Sequence, residues 1–333
     1  MSASLHHSLR VADLHTHPML GVGYLGLGLR GGWPRWALRG PLRNLLGLVT
    51  PEQARRGGVD LLVFVIYQLP NPRRSYRAGL RRQLRRFEAL CARYAGTLQH
   101  VRSSEEIERA WAGGKVAVLL ALEGGHSIER HPEDLVWLRD KGLVYLTISH
   151  FIDNRLCGTA THPLRRRWGL SRRGREVVRL CDELGIVLDV THSSDRARRE
   201  IARLSRLPVI YSHTGLRRFV PLERMQTEAD MRAVARDGGL VGQLLSPYFV
   251  SGRLHGDVDE VARNLEYMCE VMGPEHVAIG SDFDSGLNPP APLRSIADYP
   301  LLTAAMQRRG LGRAAIEQIW SGSFLRLLRA IGR

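Results

Sequence analysis

The stretch Asp13-Leu14-His15-Thr16-His17-Pro18 sets two imidazoles two positions apart at the end of an apolar run, Leu9 to Leu14. Side chains of an extended strand alternate faces, so both rings point the same way, about 7 Å apart at ~3.3 Å of rise per residue. Two neutral imidazoles on one face can share a divalent ion. Alone, the pair reads equally well as two surface histidines, and the later runs decide. Glu123 ends the run from Lys115 to Leu122, and His150 follows Leu143 to Ile148. His192 follows Ile186 to Val190, His213 follows Pro208 to Tyr211, and Asp282 follows Val277 to Gly280. Polar residues scattered at random would not gather at the same end of six runs.

The donor types define the chemistry. Imidazole and carboxylate suit Zn²⁺ and similar divalent ions. One ion can take His15 and His17 and a second His192 and His213, with Glu123 bridging through its two oxygens. Two ions about 3.5 Å apart can share a hydroxide, since both lower the pKa of bound water and polarise an electrophile. Asp282 can orient that hydroxide and carry its proton to a leaving nitrogen or oxygen. These residues therefore predict a hydrolase with two zinc ions.

The elements that must position them alternate. Short runs rich in Val, Ile and Leu are separated by segments of helical period, the pattern of βαβ units. With Val59 to Tyr67 and Gly239 to Leu245 there are eight strand candidates, and helices are expected at Tyr76 to Tyr94, Arg173 to Leu184, Asp195 to Leu204, Glu228 to Asp237 and Val258 to Val271. Eight parallel strands with crossover helices predict an α/β fold, a (β/α)8 TIM-like barrel of the metal-dependent hydrolase type, with its active site at the C-terminal strand ends. The whole chain, 1–333, reads as one domain with an extended loop over about 19–57. That loop is rich in glycine but lacks the Lys-Ser/Thr of a phosphate loop and the acidic residue of a dinucleotide fingerprint, so it is expected to be a flexible loop or lid.

Composition excludes other classes. The chain has 333 residues, 44% hydrophobic, and a formal net charge of +15. Lys115 and Lys141 are its two lysines, which leaves 46 of the 48 basic residues as arginine. These arginines are scattered over expected helices without interleaved aromatics, so no nucleic-acid function is expected. Cys91, Cys157, Cys181 and Cys269 lie far apart and form no metal or disulfide pattern. Met1 to Arg10 holds two histidines and no apolar core of a secretory signal, so none is expected, and no window reaches the ~20 apolar residues of a membrane span. A cytoplasmic enzyme without membrane attachment is expected.

The ordered set of motifs resembles the membrane (renal) dipeptidase family of zinc metallopeptidases, within the amidohydrolase superfamily. The segments carrying the resemblance are Asp13 to Pro18, Leu122 to His126, Tyr145 to His150 with Asn154, Gly174 to Arg179, Leu188 to Asp195, Val209 to His213 and Gly280 to Asp284. The resemblance implies a metal-dependent dipeptidase that hydrolyses the amide bond of small dipeptides; a homodimer is an expectation apart from it. It implies His15, His17, bridging Glu123, His192 and His213 as metal ligands and Asp282 as acid/base. His150 matches a residue that contacts substrate near the scissile carbonyl and can stabilise its oxyanion. Arg224, eleven residues after His213, matches an arginine that clamps the substrate's terminal carboxylate.

Two departures stand out. His17 occupies a position where the family has aspartate, which removes a negative charge from the cluster. Ser323 stands near an expected asparagine. His17 motivates an alternative substrate class, an N-acyl amino acid, lactone or phosphotriester. Asp284 is expected to cap a helix, His126 and His162 to be structural, and buried Asp189 to support a ligand histidine from behind.

Overall fold

The structure, a computed structural model, describes residues 5–25, 29, 44–68, 75–151, 154–162 and 168–333. Among them are nine strands: β1 (Ala12–Thr16), β2 (Leu61–Tyr67), β3 (Leu98–His100), β4 (Val116–Glu123), β5 (Leu143–Thr147), β6 (Val187–Asp189), β7 (Ile210–Thr214), β8 (Leu240–Gln243) and β9 (Val277–Ile279). The order β1-β2-β4-β5-β6-β7-β8-β9 is parallel throughout, and β3 pairs with the start of β4 off this path. A bridge between Thr16 and Phe283 closes the ring, with His17 N–H donating to Phe283 O (2.8 Å) and Asp282 N–H to His15 O (2.9 Å). The architecture is thus the (β/α)8 barrel read from the sequence. The expected loop over 19–57 lies partly outside the described residues; its start is the helix Pro18–Leu25, and its end the helix Pro51–Arg56, which Thr50 caps through Gln53 N–H.

Strand alternation sorts the core into two layers. Leu61, Val63 and Val65 of β2 and Ala117, Leu119 and Ala121 of β4 belong to the inner cluster. Leu62, Phe64, Ile66, Val118, Leu120 and Leu122 pack outward under the helices. Continuing the inner parity along β4 delivers Glu123 to the mouth of the barrel. Phe324, Leu327 and Leu328 of the helix Ser323–Ala330 join the inner cluster. Arg326 of that helix donates to Gly238 O and Gly239 O just before β8 (3.0 and 3.1 Å), which places it beneath the strands' N-terminal ends. Ser323 lies in this lower region, its hydroxyl directed at Val277 O (2.8 Å) and Gln318 O (2.9 Å), so the missing asparagine does not bear on the upper face.

The crossover helices begin where side-chain caps satisfy free amide groups. Ser171 and Ser194 cap Arg172–Leu184 and Asp195–Leu204, while Thr227 with Asp230 and Asp257 with Glu260 form capping boxes on Glu228–Arg236 and Val258–Met272.

Candidate metal centre and substrate pocket

Regular alternation would not aim all the histidines inward. Between Asp13 and Thr16, three steps along β1 match two along β2, Leu62 to Phe64. Between Tyr211 and Thr214, three steps along β7 match two along β8, Val241 to Gln243. Each irregularity inserts one residue at the strand end and re-aims a side chain, as β-bulges beside active sites do. The residues re-aimed are His15 and His213. Two further residues adopt left-handed backbone, His192 with φ 69° and Asp282 with φ 61°. Such conformations cost a non-glycine residue on the order of 1–3 kcal/mol and persist where function over-determines them. Close packing lets β8 and β9 approach β7 here, for a Cβ on Gly242 or Gly280 would lie 2.0 or 1.9 Å from Ser212 O.

All seven strand-end residues meet at one point. Glu123, 1% exposed, lies with Oε1 3.5 Å from His15 Nε2, 3.3 Å from His192 Nε2 and 3.6 Å from His213 Nε2. Its Oε2 lies 3.3 Å from His17 Nε2 and 3.6 Å from His150 Nε2. His15 Nε2 and His17 Nε2 are 3.1 Å apart, far closer than the ~7 Å between strand positions, because the rings converge. His192 Nε2 and His213 Nε2 are 3.2 Å apart, and Asp282 Oδ1 is 3.1 Å from His17 Nε2.

Neighbouring groups decide which ring nitrogen is free. Tyr145 OH donates to Leu14 O (2.8 Å), so His15 Nδ1–H donates to the phenol oxygen (2.9 Å) and leaves the Nε2 lone pair open. Burial, reinforced by the charges of Asp189 and Glu123, raises the Tyr145 pKa well above its usual value and keeps this donor protonated. Ser212 Oγ donates to Asp189 Oδ2 (2.6 Å) and so accepts from His213 Nδ1–H (2.8 Å), which frees His213 Nε2 as well. Thr147 and Thr191 also donate to Asp189, each at 2.6 Å. Asp189 therefore supports the histidines through Ser212. Neither Ser212 nor Tyr145 stands out in the sequence; each reads as an ordinary strand residue.

These donors fit a metal. Ligands bound tetrahedrally to Zn²⁺ at ~2.1 Å lie roughly 3.4 Å apart, and the donor–donor distances of 3.1–3.6 Å bracket that value. Both Glu123 oxygens are buried without a hydrogen-bond partner, a costly state for a carboxylate unless a cation meets it. Three ligand groups fall within bonding reach: His15, His17 and Asp282; His15, Glu123 and His213; Glu123, His150 and His192. His150 and Asp282 are thus near enough to act as ligands themselves.

Protonation follows from the crowding. Burial drives the pKa values of His213 and His150 well below the ordinary histidine value, with neighbouring imidazoles and Arg224 adding to it, and burial followed by the Arg224 charge lowers His192. Burial opposes a charge on His17 too, but the carboxylates of Asp282 and Glu123 beside its ring override it and raise that pKa to about 10. Glu123, which burial alone would push up, is held well below the carboxylate range by His150, His15 and His17.

Beside the cluster opens a cavity of about 880 Å³ lined by Tyr67, His150, His192, Arg224 and Asp282 together with largely apolar side chains. Arg224, 6% exposed, stacks on Phe249 (4.6 Å) and directs Nε–H at His192 Nδ1 (3.3 Å), while its Nη1 has no partner. Asp284 differs from expectation: it caps no helix, but accepts Leu48 N–H (2.8 Å) and Val49 N–H (3.2 Å), tying a distant segment to the strand end. His126 is buried in the turn after β4, outside these ligand groups.

A parallel barrel carrying such a cluster at its C-terminal end defines a metal-dependent hydrolase. The family model "Membrane dipeptidase (Peptidase family M19)" matches residues 5–333, and the chain belongs to that family. It is a metallopeptidase that hydrolyses dipeptides. A dipeptidase of Aspergillus terreus is 26% identical over 335 residues, covering 91% of this chain and 82% of its own. The probable dipeptidase PvdM of Pseudomonas aeruginosa superposes with a TM-score of 0.86 at 18% identity, over 99% of this chain and 97% of that one. A metallopeptidase of Rhodobacter sphaeroides, solved with a phosphinate mimic of the dipeptide L-Ala-D-Ala, superposes with a TM-score of 0.81 at 22% identity, over 96% of this chain and 99% of its own. Among the described residues, no helix is long and apolar enough to cross a membrane.

Proposed function

We propose that this dipeptidase works with two zinc ions, one held by His15 and His17, the other by His192 and His213, with Glu123 shared between them. The observation that carries this reading is the buried Glu123 carboxylate, unpartnered and ringed by imidazole nitrogens. When bound, the ions supply Lewis acidity that lowers the pKa of a water and polarises the scissile carbonyl. Asp282 takes the proton of that water and returns it to the departing amide nitrogen. His150, kept neutral by burial, donates a hydrogen bond to the carbonyl oxygen as negative charge develops there. Arg224 binds the substrate's terminal carboxylate through Nη1, which lacks a protein partner.

Elemental analysis should find two zinc ions per chain, and zinc-loaded protein should release amino acids from a dipeptide panel run beside N-acyl amino acids, lactones and phosphotriesters. Arg224→Ala should raise KM by the loss of a buried charge-assisted pair, ~2–5 kcal/mol, with a smaller effect on kcat. Full activity in chelator-treated, metal-free protein would sink the mechanism. The same reading includes a cytoplasmic homodimer; the buried thiols of Cys91 and Cys181 suit a reducing compartment, and sedimentation tests the dimer.

A further inference from the structure

We infer that the preferred substrates are dipeptides with a bulky apolar side chain on both residues, a selectivity that rests on the dipeptidase reading and narrows it. The cavity beside the metal cluster is about 880 Å³, near the upper end of the ~300–1,000 Å³ of small-molecule sites.

Its two apolar walls are built features. The first is formed by Leu20, Leu45, Leu46 and Leu287. Leu20 lies one turn beyond His17 on the helix Pro18–Leu25, and Leu46 packs where a Cβ on Gly21 would stand 2.3 Å from its Cδ2. Asp284 holds the amides of Leu48 and Val49, Gly286 N–H donates to Asn44 O (2.9 Å), and Asn44 Nδ2 donates to Asn288 Oδ1 (2.6 Å). The segment 44–49 is thereby fastened along 284–288, which presents its leucines to the cavity. The second wall is Leu222, Tyr248 and Phe249, and Phe249 also carries the Arg224 guanidinium.

Charge narrows the choice. Of the chain's 46 arginines and two lysines, Arg224 alone lines the cavity among the described residues. One cation is used by one carboxylate, the substrate's C-terminus, and leaves no second arginine or lysine among the described lining residues for an acidic side chain. Of the lining carboxylates, Glu123 and Asp282 belong to the histidine cluster, and Glu223 accepts Asp195 N–H (3.2 Å). A charged side chain would be desolvated against leucine without a counter-ion. With the carboxylate on Arg224, the C-terminal side chain falls against Leu222, Tyr248 and Phe249. The N-terminal side chain then lies across the cluster, against Leu20, Leu46 and Leu287.

The experiment compares kcat/KM of the zinc-loaded enzyme for Ala-Ala, Leu-Ala, Ala-Leu, Leu-Leu, Ala-Glu and Glu-Ala. Calorimetric affinities of the phosphinate analogues of the same dipeptides give a readout independent of turnover. At about fourfold per buried methylene, each leucine should gain at least ~10-fold over alanine, Leu-Leu ~100-fold over Ala-Ala, and both glutamyl dipeptides should fall below Ala-Ala. Leu222→Asp should lower the Ala-Leu to Ala-Ala ratio more than the Leu-Ala to Ala-Ala ratio, and Leu287→Asp should do the opposite. Hydrolysis of Ala-Ala with Leu-Leu within threefold of it, or a preference for glutamate, overturns the selectivity and leaves the dipeptidase intact. Hydrolysis of no dipeptide removes both.

Discussion

The two ends of the barrel solve opposite problems with the same strands. At the lower end Leu61, Ala117, Val187 and Ala278 keep the inward parity of their strands and pack over Phe324 and Leu327, with one register shift, where Leu120 and Ala121 of β4 pair with Leu143 and Tyr145 of β5. At the upper end the chain accepts bulges in β1 and β7, left-handed backbone at His192 and Asp282, and a buried carboxylate without a partner. Stability is gathered at one end and spent at the other. That division is general to barrel enzymes, because the loops after the strands can vary without disturbing the packed interior.

Substitutions at each end should separate the two roles. The largest effect is expected for Glu123→Gln, which replaces a two-oxygen anion by an amide with one acceptor. Metal content should fall below two ions per chain and kcat/KM by about a thousandfold or more, the several kcal/mol of metal assistance at 1.36 kcal/mol per decade. The far-ultraviolet spectrum should stay that of the native barrel. At the lower end Phe324→Ala should cost ~3–5 kcal/mol of stability in denaturant titrations, with kcat/KM of the folded fraction unchanged. A loss of zinc in this variant would show that the ends are coupled.

A smaller effect, between the extremes, is expected for Ser212→Ala. It removes the acceptor of His213 Nδ1–H and one donor to Asp189, and should weaken zinc binding ~10–100-fold without altering the dipeptide preference.

The mildest effect concerns pH. His100, in β3 beside the lower half of β4, is neutral in the fold because burial and then Arg102 lower its pKa to about 4. The unfolded chain takes up a proton near the ordinary 6.5 that the folded chain refuses. Stability contributed by neutral His100 is therefore full above pH 6.5 and declines as pH falls toward 4, by about 1.4 kcal/mol per unit at most. His100→Leu should flatten that part of the profile, and an unchanged acid slope would assign it to other groups.

The barrel was legible because its strands are runs of Val, Ile and Leu with helical segments between them, a local signal that survives without any contact map. Three-residue β3 was not legible, since Leu98–His100 is too short to show a period and exists by pairing with β4. The expected helix cap at Asp284 failed for a similar reason. Its partners, Leu48 and Val49, lie some 235 residues earlier in the chain, and nothing local announces them. Arg224 stood out among 46 arginines through the family resemblance, which puts an arginine at this distance after His213; its own residue type announces nothing.

From its sequence alone this protein could be read as an eightfold alternation of strand and helix with imidazoles and carboxylates at one end of the strands. Residue type and order carry that much, because alternation and helical period are local properties of the backbone. Tertiary structure alone decided that bulges turn His15 and His213 inward, and that Tyr145 and Ser212 free their Nε2 atoms. It alone placed leucines from residues 20, 46 and 287 on one wall of the pocket. Those facts depend on contacts between segments far apart in the chain, which exist only once the barrel has closed.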